Sequence, residues 1–187
     1  MELVDHTVRS GIEPRSITGV FFAGDADWNR QDALTLQVSA EMLQIRLREK
    51  LREALGGTYF VSVYSNLQSL PDHEYRISIY YGSDPERVDE LFAAVIEEVN
   101  WLHNGGEQEL LDTVKELLRT PRDEQLRDNN FWRSQIRSIA QRDGDFSSVH
   151  RFEEWLDAIT LERVVAAAQR YMTSDRYIRV VLLPEEQ

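Results

Sequence analysis

The chain has 187 residues, 42% hydrophobic and 29% charged, a composition that suits one globular domain with room for a sizeable core. Its 33 acidic against 21 basic residues give a net charge of −12, which disfavours a nucleic-acid surface, because such binding draws most of its affinity from Lys and Arg. The absence of cysteine excludes disulfide frameworks and thiolate chemistry, and no apolar run approaches the length of a membrane span.

Met1 to His6 has neither a basic n-region nor an apolar h-region, so it does not read as a signal peptide. Residues 16–22 read as a strand after Pro14, and Ala23 to Asp27 as a loop. Asn29 can cap a helix, with Asp32 in its first turn. Leu36, Ala40, Leu43, Leu47 and Leu51 then make one apolar helical face. Gly56 and Gly57 end it, since glycine readily takes the left-handed conformation after a helix. Two strands follow. In the first, Tyr59, Val61 and Val63 are expected to share a face. In the second, Tyr75, Ile77, Ile79 and Tyr81 alternate with Arg76, Ser78 and Tyr80. Leu70-Pro71-Asp72 supplies the turn of this antiparallel hairpin.

Ser83-Asp84-Pro85-Glu86 is a capping-box pattern with an early proline. Val88, Leu91, Phe92, Val95, Ile96 and Val99 form the strongest helical stripe, stopped by Gly105-Gly106. A helix over 107–119 is expected to use Leu110, Val114, Leu117 and Leu118, with Pro121 breaking it. Helices over 131–141 and 151–158 follow, separated by a loop at Gly144-Asp145. A last helix is capped by Thr160, and a final strand over 177–183 ends at Pro184. This order implies an α+β domain, a largely antiparallel sheet with helices packed on one face. No repeat, low-complexity tract or linker divides residues 1–187.

A zinc hydrolase needs two His within helical reach of each other plus an acid. His6, His73, His103 and His150 are too far apart for that, and neither HExxH nor HxxEH occurs. His73 reads as solvent-facing at the hairpin tip, and His103 as closing a helix, where a partly charged imidazole is favourable. There is no G-x-S-x-G elbow and no phosphate loop. Ser147, Ser148 and His150 are near one another only in sequence. Arg52 and Tyr59 remain as candidates. On residue chemistry alone, Arg52 is a cation near a helix C-terminus and Tyr59 an aromatic on a strand with its hydroxyl at the edge.

The segment Arg52-Glu53-Ala54-Leu55-Gly56-Gly57-Thr58-Tyr59 changes that balance. It resembles the R-x6-Y element in the C-terminal half of the pitrilysin-like (M16, inverted-zincin) zinc metallopeptidases. The stretches 8–16, 45–53, 84–91, 126–132 and 179–184 are similar to that family in the same order, most closely its bacterial periplasmic-type members. The resemblance implies a LuxS/mitochondrial-processing-peptidase-like metallohydrolase fold and a non-zinc half that closes a chamber over a homologous zinc-binding half. It also implies that residues 1–187 are one domain, a fragment of a larger multi-domain protease that degrades peptides. By that resemblance Tyr59 would donate its hydroxyl to the substrate carbonyl as charge develops there, and Arg52 would hold the substrate backbone. Zinc would act in the parent enzyme through ligands outside this chain, so the chain alone is expected to be inactive. The resemblance also implies a parent that is periplasmic or exported in a bacterium. Expected partners are the zinc-binding half and peptide substrates, with no nucleic acid and no membrane. An exposed partner surface would leave the isolated domain open to self-association. The alternative is a catalytically inactive structural or interaction module of a processing-peptidase-like assembly. The Thr120-Pro121 break departs from the family's smoother helix.

Overall fold

Five strands form one sheet in the order β1-β5-β2-β4-β3, where β1 is Val4–Arg9, β2 Ser16–Asp25, β3 Thr58–Gln68, β4 Glu74–Ser83 and β5 Ile178–Leu183. The computed structural model describes residues 4–54, 56–142 and 144–185. All neighbouring strands are antiparallel except β1 and β5. β1 is a parallel edge strand that the sequence reading did not anticipate. It is exposed along its whole length, and its period-two signal is weak, with only Val4 and Val8 apolar on one face. Residues 23–25, expected in a loop, extend β2 instead, because they complete its register with β4 at Tyr75 and Glu74.

The long helix α1 spans Arg30–Leu47, and the Asn29 side chain accepts the Asp32 amide at 2.7 Å as its cap. It continues as a π-helical segment, Arg48–Ala54. Leu36, Ala40, Leu43, Leu47 and Leu51 are all buried, as their spacing predicts. α1 packs against β3, and its Gln44 amide reaches that edge strand. Gln44 Nε2 donates to the Val61 carbonyl at 3.1 Å, and its Oε1 accepts the Val63 amide at 2.5 Å. These bonds satisfy backbone groups that an edge strand otherwise leaves open to pairing.

α2 (Val88–His103) buries Val88, Leu91, Val95 and Val99 from its stripe, with Phe92 half-buried against the same core. Its expected capping box does not form. Ser83 is tied to Ser16, whose hydroxyl lies 2.8 Å from the Ser83 carbonyl, and the Asp84 side chain makes no cap hydrogen bond. α3 (Gln108–Arg119) buries Leu111 and Val114. The expected Leu110 and Leu118 pack half-buried against the core on either side of the fully buried Leu111 and Val114, while the expected Leu117 is instead exposed. Pro121 separates α3 from the short α4 (Arg122–Gln125). α5 (Asn129–Ala140), a 3-10 segment, α6 (Phe152–Asp157) and α7 (Leu161–Tyr171) complete the layer, and the Thr160 hydroxyl caps α7.

The helices lie over the sheet face formed by Val20, Phe22, Ile77, Ile79, Tyr81 and Val181. On the opposite face, register aligns Val8, Leu182, Ile17, Gly82 and Phe60 across all five strands. Val8, Leu182, Ile17 and Phe60 are all exposed. The Phe60 ring lies on Gly82, where a Cβ would come within 2.8 Å of it. One side of the sheet is thus built as a core and the other as an apolar surface.

Candidate functional site

The turn between α1 and β3 is formed by two glycines with different tasks. Gly56 has φ +58°, a left-handed conformation that most side chains resist. The Gly57 amide closes the helix on the Leu51 carbonyl at 3.0 Å. A Cβ on Gly57 would lie 2.8 Å from Arg87 Nη1 and 2.9 Å from Leu91 Cδ2, so the strand can begin tight against α2 only with glycine there. Leu55, within the Leu-Gly-Gly-Thr-Tyr turn, lies outside the described residues.

β3 opens on a bulge between Thr58 and Phe60, which oppose Ser83 and Gly82, with Tyr59 as the extra residue. The Thr58 hydroxyl lies 2.6 Å from both the Phe60 and the Gly82 carbonyls, which holds the bulge in place. Tyr59 therefore does not share a face with Val61 and Val63 as alternation predicts. It is 56% exposed, whereas Val61 is buried. Its hydroxyl donates to Asp84 Oδ1, and the Arg15 guanidinium stands 5.2 Å from its ring centroid. Arg52 is also exposed, near the end of the π-helical segment, and forms no ion pair among the described residues. Arg52 thus stands just before the Gly-Gly turn and Tyr59 just after it, at the start of the β3 edge. Among the described residues they make no hydrogen bond or ring contact with each other.

The electrostatics of Tyr59 follow from Asp84. The hydrogen bond to that carboxylate, first of all, raises the tyrosine pKa above its ordinary value. Partial desolvation and the Asp84 charge act the same way, and Arg15 opposes them. The phenol is thus held protonated, as a donor, beyond the usual range of tyrosine. Sequence reasoning did not find Asp84 or Arg15 as neighbours of this site. Asp84 lies 25 residues away and carried a helix-cap signal, and only the β3–β4 register brings it to the bulge.

The described residues do not fit a bound metal. Among the described residues no group of three or more His, Cys, Asp or Glu could hold one. His6 is on the exposed β1, and His73 Nδ1 lies 3.2 Å from Asp27 at the hairpin tip. His103 ends α2 with Nε2 at 3.1 Å from the Ala168 carbonyl. His150 packs beside the Trp132 ring. Among the described residues no helix is long and apolar enough to cross a membrane.

A five-stranded, largely antiparallel sheet with helices on one face defines an α+β domain, with no metal-binding set among the described residues. The family described as the peptidase M16 inactive domain matches residues 6–118, and the chain belongs to that family. Solved structures share the fold. The periplasmic protease PqqL from Escherichia coli superposes with a TM-score of 0.83 at 24% identity, over 98% of this chain and 21% of that one. The ferredoxin protease FusC, solved in complex with Arabidopsis ferredoxin, gives 0.84 at 20% identity, over 99% and 20%. A peptidase M16 inactive domain from Pseudomonas fluorescens gives 0.77 at 21% identity, over 98% and 44%. The chain thus spans between a fifth and less than half of these structures' length. No curated protein matches it.

Proposed function

We propose that this chain is the substrate-binding, chamber-closing domain of a zinc-dependent metalloendopeptidase that degrades peptides. In this reading residues 1–187 form one domain of a longer exported bacterial protease, as the PqqL likeness suggests. The metal is held by ligands of a homologous half outside this chain, since the donors among the described residues do not fit one.

The observation that carries the proposal is Tyr59. A bulge lifts it out of the strand alternation and leaves it exposed, and the Asp84 carboxylate keeps its hydroxyl protonated. Such a phenol can donate to a carbonyl oxygen as negative charge grows on it. Arg52, exposed just before the Gly-Gly turn, offers a planar fork of donors to a peptide backbone. The apolar outer sheet face supports burial against the rest of a larger enzyme.

The test uses the full-length parent. Tyr59→Phe is expected to lower kcat by roughly 10²–10³ with fold and metal content intact, and kcat/KM with it. An unchanged per-molecule activity, with only the melting temperature altered, overturns the role. A second reading, a catalytically silent interaction module, is favoured by one observation: Asp84 already accepts the single proton of Tyr59. That reading expects the parent to hydrolyse no peptide.

A further inference from the structure

Away from the β3 rim, a half-open cavity of about 560 Å³ lies between the start of α1 and the α3–α6 region. Its volume is that of a small-molecule site. Trp28, Phe131, Phe152 and Trp155 line it together with Arg30 and Arg122. The Arg122 guanidinium stands 4.9 Å from the Phe131 ring centroid and 4.6 Å from that of Phe152. Arg30 stands 5.3 Å from the Trp155 ring and 5.9 Å from that of Trp28, and Arg142 packs on Trp28 at 4.5 Å.

Stacked guanidiniums keep their N–H edges available in plane. Arg122 donates once, to the Val149 carbonyl at 2.7 Å, out of five N–H groups. Arg142 donates to Ser138. None of Arg30, Arg122 and Arg142 forms an ion pair with a described carboxylate. Asp128 lines the cavity, but its Oδ1 accepts the Asn130 amide, and Glu153 pairs with Arg119 while acting on Arg122 from further away. Other arginines among the described residues are neutralised, Arg119 by three carboxylates and Arg179 by two, whereas Arg30 and Arg122 share their cavity with the single carboxylate of Asp128. Burial first, then the charges of Arg142 and Arg122, press the Arg30 pKa down, and burial presses that of Arg122. In a chain of net charge −12, this cavity is short of negative charge.

We propose that the cavity binds a small carboxylate carried on an aromatic or apolar body, with the acid between Arg30 and Arg122 and the body among the rings. The carboxylate belongs either to a free organic acid or to the C-terminal residue of a peptide. Peptide hydrolysis generates such termini, but the proposal does not rest on the peptidase reading.

Isothermal titration of the chain tests it with N-acetylphenylalanine, its C-terminal amide, a short peptide ending in phenylalanine, and inorganic phosphate. The acid is expected to saturate one site and the amide to bind at least tenfold more weakly. Arg30→Gln and Arg122→Gln should each weaken the acid at least tenfold. Tighter binding of the peptide than of the free acid identifies a peptide terminus as the source, and the reverse identifies a free acid. If Arg122→Gln unfolds the chain through loss of the Val149 bond, Arg30→Gln and the acid-to-amide ratio decide. Equal binding of acid and amide, no saturable binding, phosphate binding as tight as the acid, or an Arg30→Gln variant that binds normally would each overturn the proposal.

Discussion

The Tyr59 hydroxyl donates to the Asp84 carboxylate across the β3–β4 pairing, one residue beyond the point where Thr58 meets Ser83. A carboxylate acceptor favours the phenol over the phenolate, which would repel it. Asp84→Asn is therefore expected to bring the Tyr59 pKa down toward the ordinary tyrosine value, because it removes the largest cause of the rise. Arg15→Ala should move it further up, since the guanidinium opposes that rise. Phenolate absorbance, titrated with and without Tyr59→Phe in each background, isolates the one tyrosine among seven. An unchanged Tyr59 titration in Asp84→Asn would contradict this account.

Gly57 is held to glycine by space. A Cβ there would press on Leu91, which is fully buried, and on the Arg87 guanidinium. Overpacking of this kind costs about 1–3 kcal/mol. Gly57→Ala is expected to lose that much in urea unfolding. Gly56→Ala has nothing to meet within 4 Å and suffers instead from its left-handed backbone, a cost of about 1–2 kcal/mol. A bulkier Gly57→Val should widen the gap between the two sites, and a Gly57→Val chain as stable as wild type would refute the close approach.

α3 offers a contrast within one helix. Leu111 is fully buried and Leu117 is 56% exposed. Leu111→Ala should cost about 2–5 kcal/mol, while Leu117→Ala should stay within about 0.5 kcal/mol. Chemical denaturation of both variants checks the orientation of α3. Comparable losses would mean that the helix presents a different face.

That contrast marks how far the residues alone could be read. Period and punctuation located α1, α2, the β3–β4 hairpin and β5, because long apolar stripes bounded by Asn29, Gly56-Gly57 and Pro184 leave few alternatives. In α3 the run Leu110-Leu111 and Leu117-Leu118 allows two neighbouring faces, and only packing against α1 and α6 chooses between them. β1 was illegible because its alternation is short and weak, only Val4 and Val8 being apolar, with His6 between them on the same face. At the candidate site, the Arg52–Tyr59 spacing was visible, but the bulge was not. A bulge depends on the partner strand, through Thr58 bonding to the Gly82 carbonyl. Asp84 was visible only as a helix signal, and its bond to Tyr59 follows from that same unforeseen geometry.

Alkaline stability should report on Tyr81. It is fully buried in β4, and burial above all pushes its pKa up to about 12. Thr18 stands opposite it in the β2–β4 register and draws that pKa partly back, but the two hydroxyls do not reach hydrogen-bond geometry, and neither has another partner. The folded value thus lies above the unfolded one, near 10. The unfolded chain releases this proton first as pH rises. The stability held below pH 10 is therefore lost progressively between pH 10 and 12, on the order of 1 kcal/mol per pH unit from this group. Tyr75 and Tyr171, also raised by burial, add losses of the same sign. Tyr81→Phe should make the fall with pH shallower. At pH 7 it should match or exceed the wild type, because it removes a buried hydroxyl that has no partner while keeping the ring. Urea midpoints from pH 7 to 11 measure both effects. An unaltered alkaline slope, or a loss of more than about 1 kcal/mol at pH 7, would show that the Tyr81 hydroxyl is satisfied in the folded protein.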